Sequence, residues 1–403
     1  IKMDKKRRRK KKMQRQARKQ KGITLVALVI TIIVLLILAG TTTTMLVGKN
    51  GILNQANKAK IETQKANEDE LRKLAMLEAT MNLENKLYTD KKGDTVTIPA
   101  GFAVSHVEGE NIIDEGLVII DKEGNEFVYV PVSNIIAVDM NKDQSIDLVD
   151  IDLMIDNNQF PMAIQTEING TKHYRGILYD WSNFSYTSGI NSIEDFTDLT
   201  SGIREPAYLT ASETADSSKY NNIGITQELL QEEFDKMIEK VLETKGFFVS
   251  RYEMSGSETA ESKANSISIT AGTLMENNEY YRWYGLYTFA KTYNVSVYSN
   301  MIWGCQYDQM MLWMIQNGID ITTAGHYYND DSSKTGMSDD KDIILNVFDL
   351  YGGREEWTLA GNNFSTRVLR GGNYEENRAP STLNWHYPSK NHSGWSTRFV
   401  IYL

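Results

Sequence analysis

The sequence predicts an α+β protein in which a long N-terminal helical region precedes a body of short strands and a few helices. Three observations carry this. Residues 23–40 form one uncharged apolar run. Residues 52–92 hold neither Gly nor Pro and are rich in helix formers. From Asp94 onward the hydrophobic period shortens to the alternation of strands.

The charge is divided as sharply as the pattern. Residues 1–21 carry 13 Lys/Arg against one Asp, a net of +12 in a chain whose total is -10, which leaves -22 on the other 382 residues. The basic end and the acidic body therefore need separate explanations, and no nucleic-acid partner is expected. The sequence begins at Ile1, with Met3 as the expected initiator. In residues 23–40 only Thr24 and Thr31 are polar. Continued to Val47, the run spans about 37 Å as a helix, enough for a hydrocarbon core of about 30 Å. The positive-inside rule keeps the basic end cytoplasmic and exports the body. The expected localisation is the cell membrane, single-pass, with an extracellular C-terminal domain.

Lys21-Gly22 followed by Ile23-Thr24-Leu25 resembles the class III leader of type IV prepilins, and "KGITLVALVITII" resembles the leaders of Gram-positive pilin-like surface proteins. The resemblance covers about the first 50 residues. It implies that a prepilin peptidase cuts between Gly22 and Ile23, that the new N-terminus is methylated, and that the apolar segment is both anchor and filament spine, with pilus subunits as partners. Ala27 stands where most pilins carry a Glu that pairs with a neighbour's N-terminal amine. That departure weakens the expectation of filament assembly and leaves processing untouched. A plain signal anchor with a basic flank is the other open reading. The expected organisation is a leader at 1–22, a transmembrane or pilin-like helix at 23–47, a helical stalk at 48–93 packing one face on the body, and the body at 94–403.

Within the body, "DTVTIP", "GLVIID" and "NEFVYVPV" read as strands, with Gly124-Asn125 as a hairpin turn. Residues 187–218 are turn-rich and expected to be irregular. "TQELLQEEFDKMIEKVLETKG" reads as a helix with Thr226 as N-cap and Gly246 at its end, and "YDQMMLWMIQNG" as a second helix ended by Gly318.

Six stretches then recur in a familiar order: "NEFVYVPV", "GFFVSRYEMSG", "SNMIWGCQYDQMMLWMI", "NVFDLYGGREEWT", "RVLRGGNY" and "RFVIYL". Together they resemble the landmarks of the formylglycine-generating-enzyme, or sulfatase-modifying-factor, family over residues 95–403. The resemblance implies a C-type-lectin-like fold with a large loop surface. The family's enzymes hold copper on a pair of C-terminal cysteines and oxidise a substrate cysteine. This chain has a single cysteine, Cys305, far upstream of that segment, so neither copper nor catalysis is expected and Cys305 reads as a core residue. Gly353 occupies the place of an Asn that in the family helps bind a structural calcium, so that site is expected to be weakened or lost while the turn survives. His106, His173, His326, His386 and His392 form no recognisable metal or catalytic motif.

One stretch carries its own metal signal. In "DMNKDQSIDLVD", Asp139, Asn141, Asp143, the Ser145 carbonyl, Asp147 and Asp150 fill positions 1, 3, 5, 7, 9 and 12 of an EF-hand or dockerin register for Ca2+. Gln144 replaces the usual Gly at position 6 and must adopt a strained turn. A structural calcium clamp on an insertion at 139–150 and a plain acidic surface loop are both open. The stretch 329–342 is acidic without regular spacing and reads as a solvated loop.

The segment between "RGGNY" and "STRFVIYL" is rich in aromatic, amide and hydroxyl side chains, which supply contact area and adaptable hydrogen bonds. Asn373, Tyr374, Asn384, Trp385, His386, Tyr387, Asn391, His392 and Trp395 are the expected ligand contacts. Burial beneath the loop is the competing reading for the aromatics, above all for Trp395. The chain thus reads as a non-enzymatic surface protein that binds a glycan or protein ligand in an adhesive role. A structural minor pilin or pseudopilin of a secretion or DNA-uptake machine is the alternative, and a copper-dependent formylglycine-generating oxidase is third.

Overall fold

The computed structural model describes residues 28–35, 52–181, 185–186, 203–207, 225–274, 281–293, 296–323, 334–336, 342–362, 366–372 and 378–403. The chain divides into two compact units, Ile1–Glu70 and Leu71–Leu403. In the first, residues 28–35 are helical, with exposed apolar side chains. Among the described residues no helix is long and apolar enough to cross a membrane. Most of the expected span 23–47, and the expected cleavage junction Gly22–Ile23, lie outside the described residues.

Helix α1 (Ile52–Met81) ends a dozen residues earlier than its composition suggests. The Asn82 amide donates to the carbonyls of Pro99 (3.2 Å) and Phe102 (2.8 Å), and the chain turns into a hairpin of β1 (Lys86–Thr89) and β2 (Thr95–Ile98). Residues 71–93, read from the sequence as stalk, thus belong to the second unit. The face of α1 that is buried there is Ala75 and Ala79, while Leu74, Leu77 and Met81 are exposed. Small side chains permit the close approach. Arg72 completes it: its guanidinium lies 2.6 Å from Glu110 and 2.8 Å from Glu126, and Arg251 meets each of those carboxylates at 2.7 Å.

The body continues through β3 (Phe102–Val104), β4 (Val118–Asp121), β5 (Glu126–Pro131), α2 (Leu148–Asp156), β6 (Ala163–Ile168), β7 (Thr171–Gly176), β8 (Tyr179–Asp180), β9 (Ser185–Tyr186) and β10 (Ile203–Arg204). It is completed by α3 (Gln227–Thr244), β11 (Gly246–Ser250), α4 (Trp283–Ala290), β12 (Tyr298–Met301), α5 (Gly304–Gln316), β13 (Ile343–Ile344), β14 (Val347–Phe348), β15 (Glu355–Asn362), β16 (Thr366–Arg370), β17 (Leu383–His386), β18 (Trp395–Thr397) and β19 (Phe399–Tyr402). This is a mixed α+β body. Of the stretch 187–218 only residues 203–207 are described, and of 329–342 only 334–336 and 342.

Two sheets organise it. The first, in the order β12-β19-β11-β5-β4-β3, is antiparallel throughout. β5 and β11 are continuous apolar runs because both faces are covered. Phe102, Phe127, Tyr293 and Phe399 pack there, with ring centroids 5.0–6.4 Å apart. The second sheet runs β10-β15-β16-β17, with β18 added in parallel against β15.

Helix α3 starts as its sequence predicts, the Thr226 hydroxyl accepting from the Leu229 amide at 3.1 Å. Its end differs. The left-handed residue is Lys245 (φ 60°), and Gly246 already opens β11. Glycine is needed at 246 for space, since a Cβ there would lie 2.5 Å from the Tyr129 ring. The closing stretch "STRFVIYL" is two strands rather than one. β18 pairs with β15 and β19 with β11 and β12, so the chain passes from one sheet to the other at Arg398.

Candidate functional site

The strands around the terminal segment are braced by buried arginines. Arg370, from "RGG", places Nη2 2.8 Å from the Asp308 carboxylate of α5, which also accepts from the Tyr179 amide and the Trp181 indole, each at 3.0 Å. Arg367 lies over the Trp283 ring, 4.1 Å from its centroid, and donates to the Leu359 carbonyl at 2.7 Å. At the crossing between sheets, Arg398 donates to the carbonyls of Ser250, Arg251 and Phe348, with Nε 2.5 Å from Glu356. Burial pushes Glu356 up to about 8 despite that guanidinium. These residues hold β15, β16, β18 and β19 in register from within.

On this frame sits the segment the sequence singles out. Part of the expected loop is a strand, for β17 pairs antiparallel with β16, Val368 opposite Trp385. Alternation then sorts the side chains. Trp385 is 48% exposed, and Tyr387, just beyond the strand, is 47% exposed. Asn384 and His386 are half-buried, and the Asn384 amide donates to Glu355 at 3.1 Å. Asn391 is exposed and His392 half-buried. Asn373 and Tyr374 lie outside the described residues.

Trp395 corrects the expectation of display: it is only 5% exposed. Its indole N–H donates to Glu355 at 2.9 Å, its ring meets Trp357 edge-on at 5.4 Å, and both His386 (4.3 Å) and His392 (4.6 Å) stack on it. Glu355 also receives Arg378. Position decides this, because Trp395 opens β18 inside the second sheet. Of the expected contacts that are described, Trp385, Tyr387 and Asn391 are therefore the exposed ones, with His386 and His392 half-buried.

The 139–150 loop closes on its own carboxylates. Asp139 accepts from the amides of Asp143 and Gln144, Asp143 from Ser145, and Asp147 caps α2. Fully buried Asp150 accepts from Met140, Asn141 and Asp147 at 2.7–3.0 Å. Gln144 adopts the left-handed backbone its position requires (φ 75°), as does Lys142 (φ 63°). Among the described residues no group of three or more His, Cys, Asp or Glu side chains is placed to hold a metal ion. In the stretch "NVFDLYGGREEWT", a Cβ on Gly353 would lie 2.4 Å from Glu253 Oε1, which accepts from the Arg354 amide at 2.6 Å. Glu253 thus fills the space a side chain at 353 would take. Trp357, four residues on, is in the core.

Cys305 is buried in the first turn of α5, and burial, then the neighbouring Glu205, push its thiol well up. Glu205 itself accepts from the amides of Gly304 (2.6 Å) and Cys305 (2.8 Å), and burial pushes it up to about 7.

A second concavity was not legible as such from the sequence. It is a groove of about 740 Å³ between β7 and α3, lined by Lys172, His173 and Arg175 on one wall and Gln231, Asp235 and Glu239 on the other. Asp235 receives His173 Nδ1 at 2.7 Å, the Tyr174 amide at 2.7 Å and the Gln231 amide at 2.6 Å, so it orients the imidazole and caps the outer edge of β7. Two signals for it exist: Asn169-Gly170, both left-handed, as a hairpin turn between β6 and β7, and a polar stripe at three- and four-residue spacing on α3.

No protein-family model matches the chain, and no curated protein matches it. Two solved structures are similar to part of it. One is titled "Crystal Structure of CarF", with TM-score 0.27 and 11% identity, covering 39% of this chain and 87% of that one. The other is "Structure of PvdO from Pseudomonas aeruginosa", with TM-score 0.27 and 13% identity, covering 40% and 82%. Scores this low do not establish a shared fold.

Proposed function

We propose that this chain is a non-enzymatic, membrane-anchored or pilus-associated surface protein whose lectin-like, formylglycine-generating-enzyme-like body binds a glycan or protein ligand through its C-terminal segment. One observation carries the reading: Trp385 and Tyr387 stand half in solvent on an outer strand and the turn after it, above a frame of buried ion pairs. Large aromatics so placed supply contact area without costing the fold its core. The apolar run at 23–40 supplies the anchor and the Gly22–Ile23 junction the processing site. Calcium at the 139–150 loop belongs to the same proposal, as a structural ion rather than a reactive one.

The test is a glycan and protein array probed with the full chain in a mild detergent. Trp385→Ala with Tyr387→Ala is expected to lower binding at least tenfold with an unchanged melting temperature. Binding that survives the double change moves the site elsewhere. The exposed row Leu74, Leu77 and Met81 on α1 favours the second reading, a minor pilin whose helix packs on neighbouring subunits. In that case Leu77→Lys abolishes assembly and leaves array binding intact.

A further inference from the structure

His386 and His392 both stack on the Trp395 indole, with interplanar angles of 29° and 28°. The ring centroids lie 4.3 and 4.6 Å from it, so both imidazoles pack directly on the indole. One histidine lies in β17 and the other in the turn before β18, so the stack ties the outer strand and the turn to the interior of the second sheet. His392 Nδ1 accepts from the Gly394 amide at 3.0 Å, a bond that a ring protonated on that nitrogen cannot make.

Around His386 the described groups that act on it are more positive than negative. Lys390 and Arg378 act on His386 with the same sign as a proton, and Arg354 donates to the nearby Ser393 carbonyl. Among the described residues Glu355 is the carboxylate that acts on His386, and it already receives Trp395, Asn384 and Arg378. Burial first, then Lys390, hold His386 below the usual histidine range, with His392 and Arg378 adding and Glu355 opposing.

We propose that the His386–Trp395–His392 stack is an acid-released clasp, in which neutral imidazoles hold residues 383–395 closed over Glu355 and protonation lets the segment open. The sign follows from the direction of the shift. A histidine held low in the closed form stabilises it fully above the ordinary histidine value of about 6.5, and that contribution is lost as pH falls below it. The surface bearing Trp385 and Tyr387 is then presented in one shape at neutral pH and loosened in mild acid. The clasp is a property of the closed segment alone, so it stands or falls separately from ligand binding.

The experiment is hydrogen–deuterium exchange on the full chain in detergent, without ligand, at about pH 7.5 and 5.5, corrected for intrinsic exchange. The expected result is a loss of protection of about threefold or more across residues 383–395 at the lower pH, with β11 unchanged. His386→Phe with His392→Phe keeps aromatic stacking without a titrating group and is expected to abolish the pH dependence. If that pair does not fold, His386→Phe alone serves, with a reduced pH dependence expected. Three outcomes overturn the clasp: equal protection of 383–395 at both pH values, an undiminished acid effect in the Phe variant, or an equal loss in β11.

Discussion

The strands that border the terminal segment and the residues they enclose use charge and aromaticity in opposite ways. In the frame, Arg367, Arg370 and Arg398 are buried and spent on carbonyls, carboxylates and a Trp face. In the display, Trp385 and Tyr387 stand half in solvent and Lys390 is exposed beside them. A buried guanidinium is strongly destabilising to unpair, whereas an exposed ring is cheap to remove. The same short stretch can therefore be rigid at its base and open to change at its surface.

The largest break in this contrast is expected from Arg370→Ala. It leaves Asp308 buried without its cation and should cost about 3–5 kcal/mol in denaturant unfolding. A cost below about 1 kcal/mol would mean the frame is not held by this pair.

Next comes Glu205, which caps α5 one turn from Asp308. Its carboxyl is raised from 4.5 to about 7 in the folded chain, so the folded state binds the proton more tightly than the unfolded one. That contribution is fully present below about 4.5 and lost as pH rises through about 7. Where fully present it amounts to a few kcal/mol, taking about 1.4 kcal/mol per unit. Glu205→Gln should flatten this part of a stability–pH curve, and identical slopes in both proteins would contradict the assignment.

Arg72→Ala should cost less, about 2 kcal/mol, because Arg72 is one-fifth exposed while Glu110 and Glu126 keep Arg251. Glu110 is held down at about 2 chiefly by Arg251 and Arg72 against its burial, so the stability contributed by Glu110 is present above about 4.5 and lost as pH falls through about 2. Melting curves of the two proteins at neutral pH check the magnitude. The smallest effect is expected in the display: Trp385→Ala with Tyr387→Ala should stay within about 0.5 kcal/mol of the wild type in the same assay. A larger loss would make these rings part of the frame.

Much of the body could be read in advance where local chemistry decides. The Thr226 cap, the left-handed turn at Gly318, the strands around 118–131 and the strained backbone at Gln144 follow from side chains within a few residues of each other. Reading failed where a distant partner overrides the local signal. Residues 82–92 hold no Gly or Pro to stop a helix, yet Asn82 is recruited by carbonyls at 99 and 102 and β1 pairs with β2. Gly246 looks like a helix stop and is instead a clearance for Tyr129, more than a hundred residues away. Of the predicted surface, Trp385, Tyr387 and Asn391 are exposed, while Trp395 is enclosed because β18 joins β15.

By itself the sequence determines the charge division, the apolar run at 23–40, the single cysteine and the α+β character of the body, since composition and periodicity are properties of neighbours along the chain. Only the tertiary structure decides that "STRFVIYL" divides between two sheets at Arg398, that Arg72 neutralises a carboxylate pair in the body, and that two histidines close on one indole. Each of these joins residues remote in sequence through burial, and the energy of a buried charge or ring depends on partners that no local pattern records.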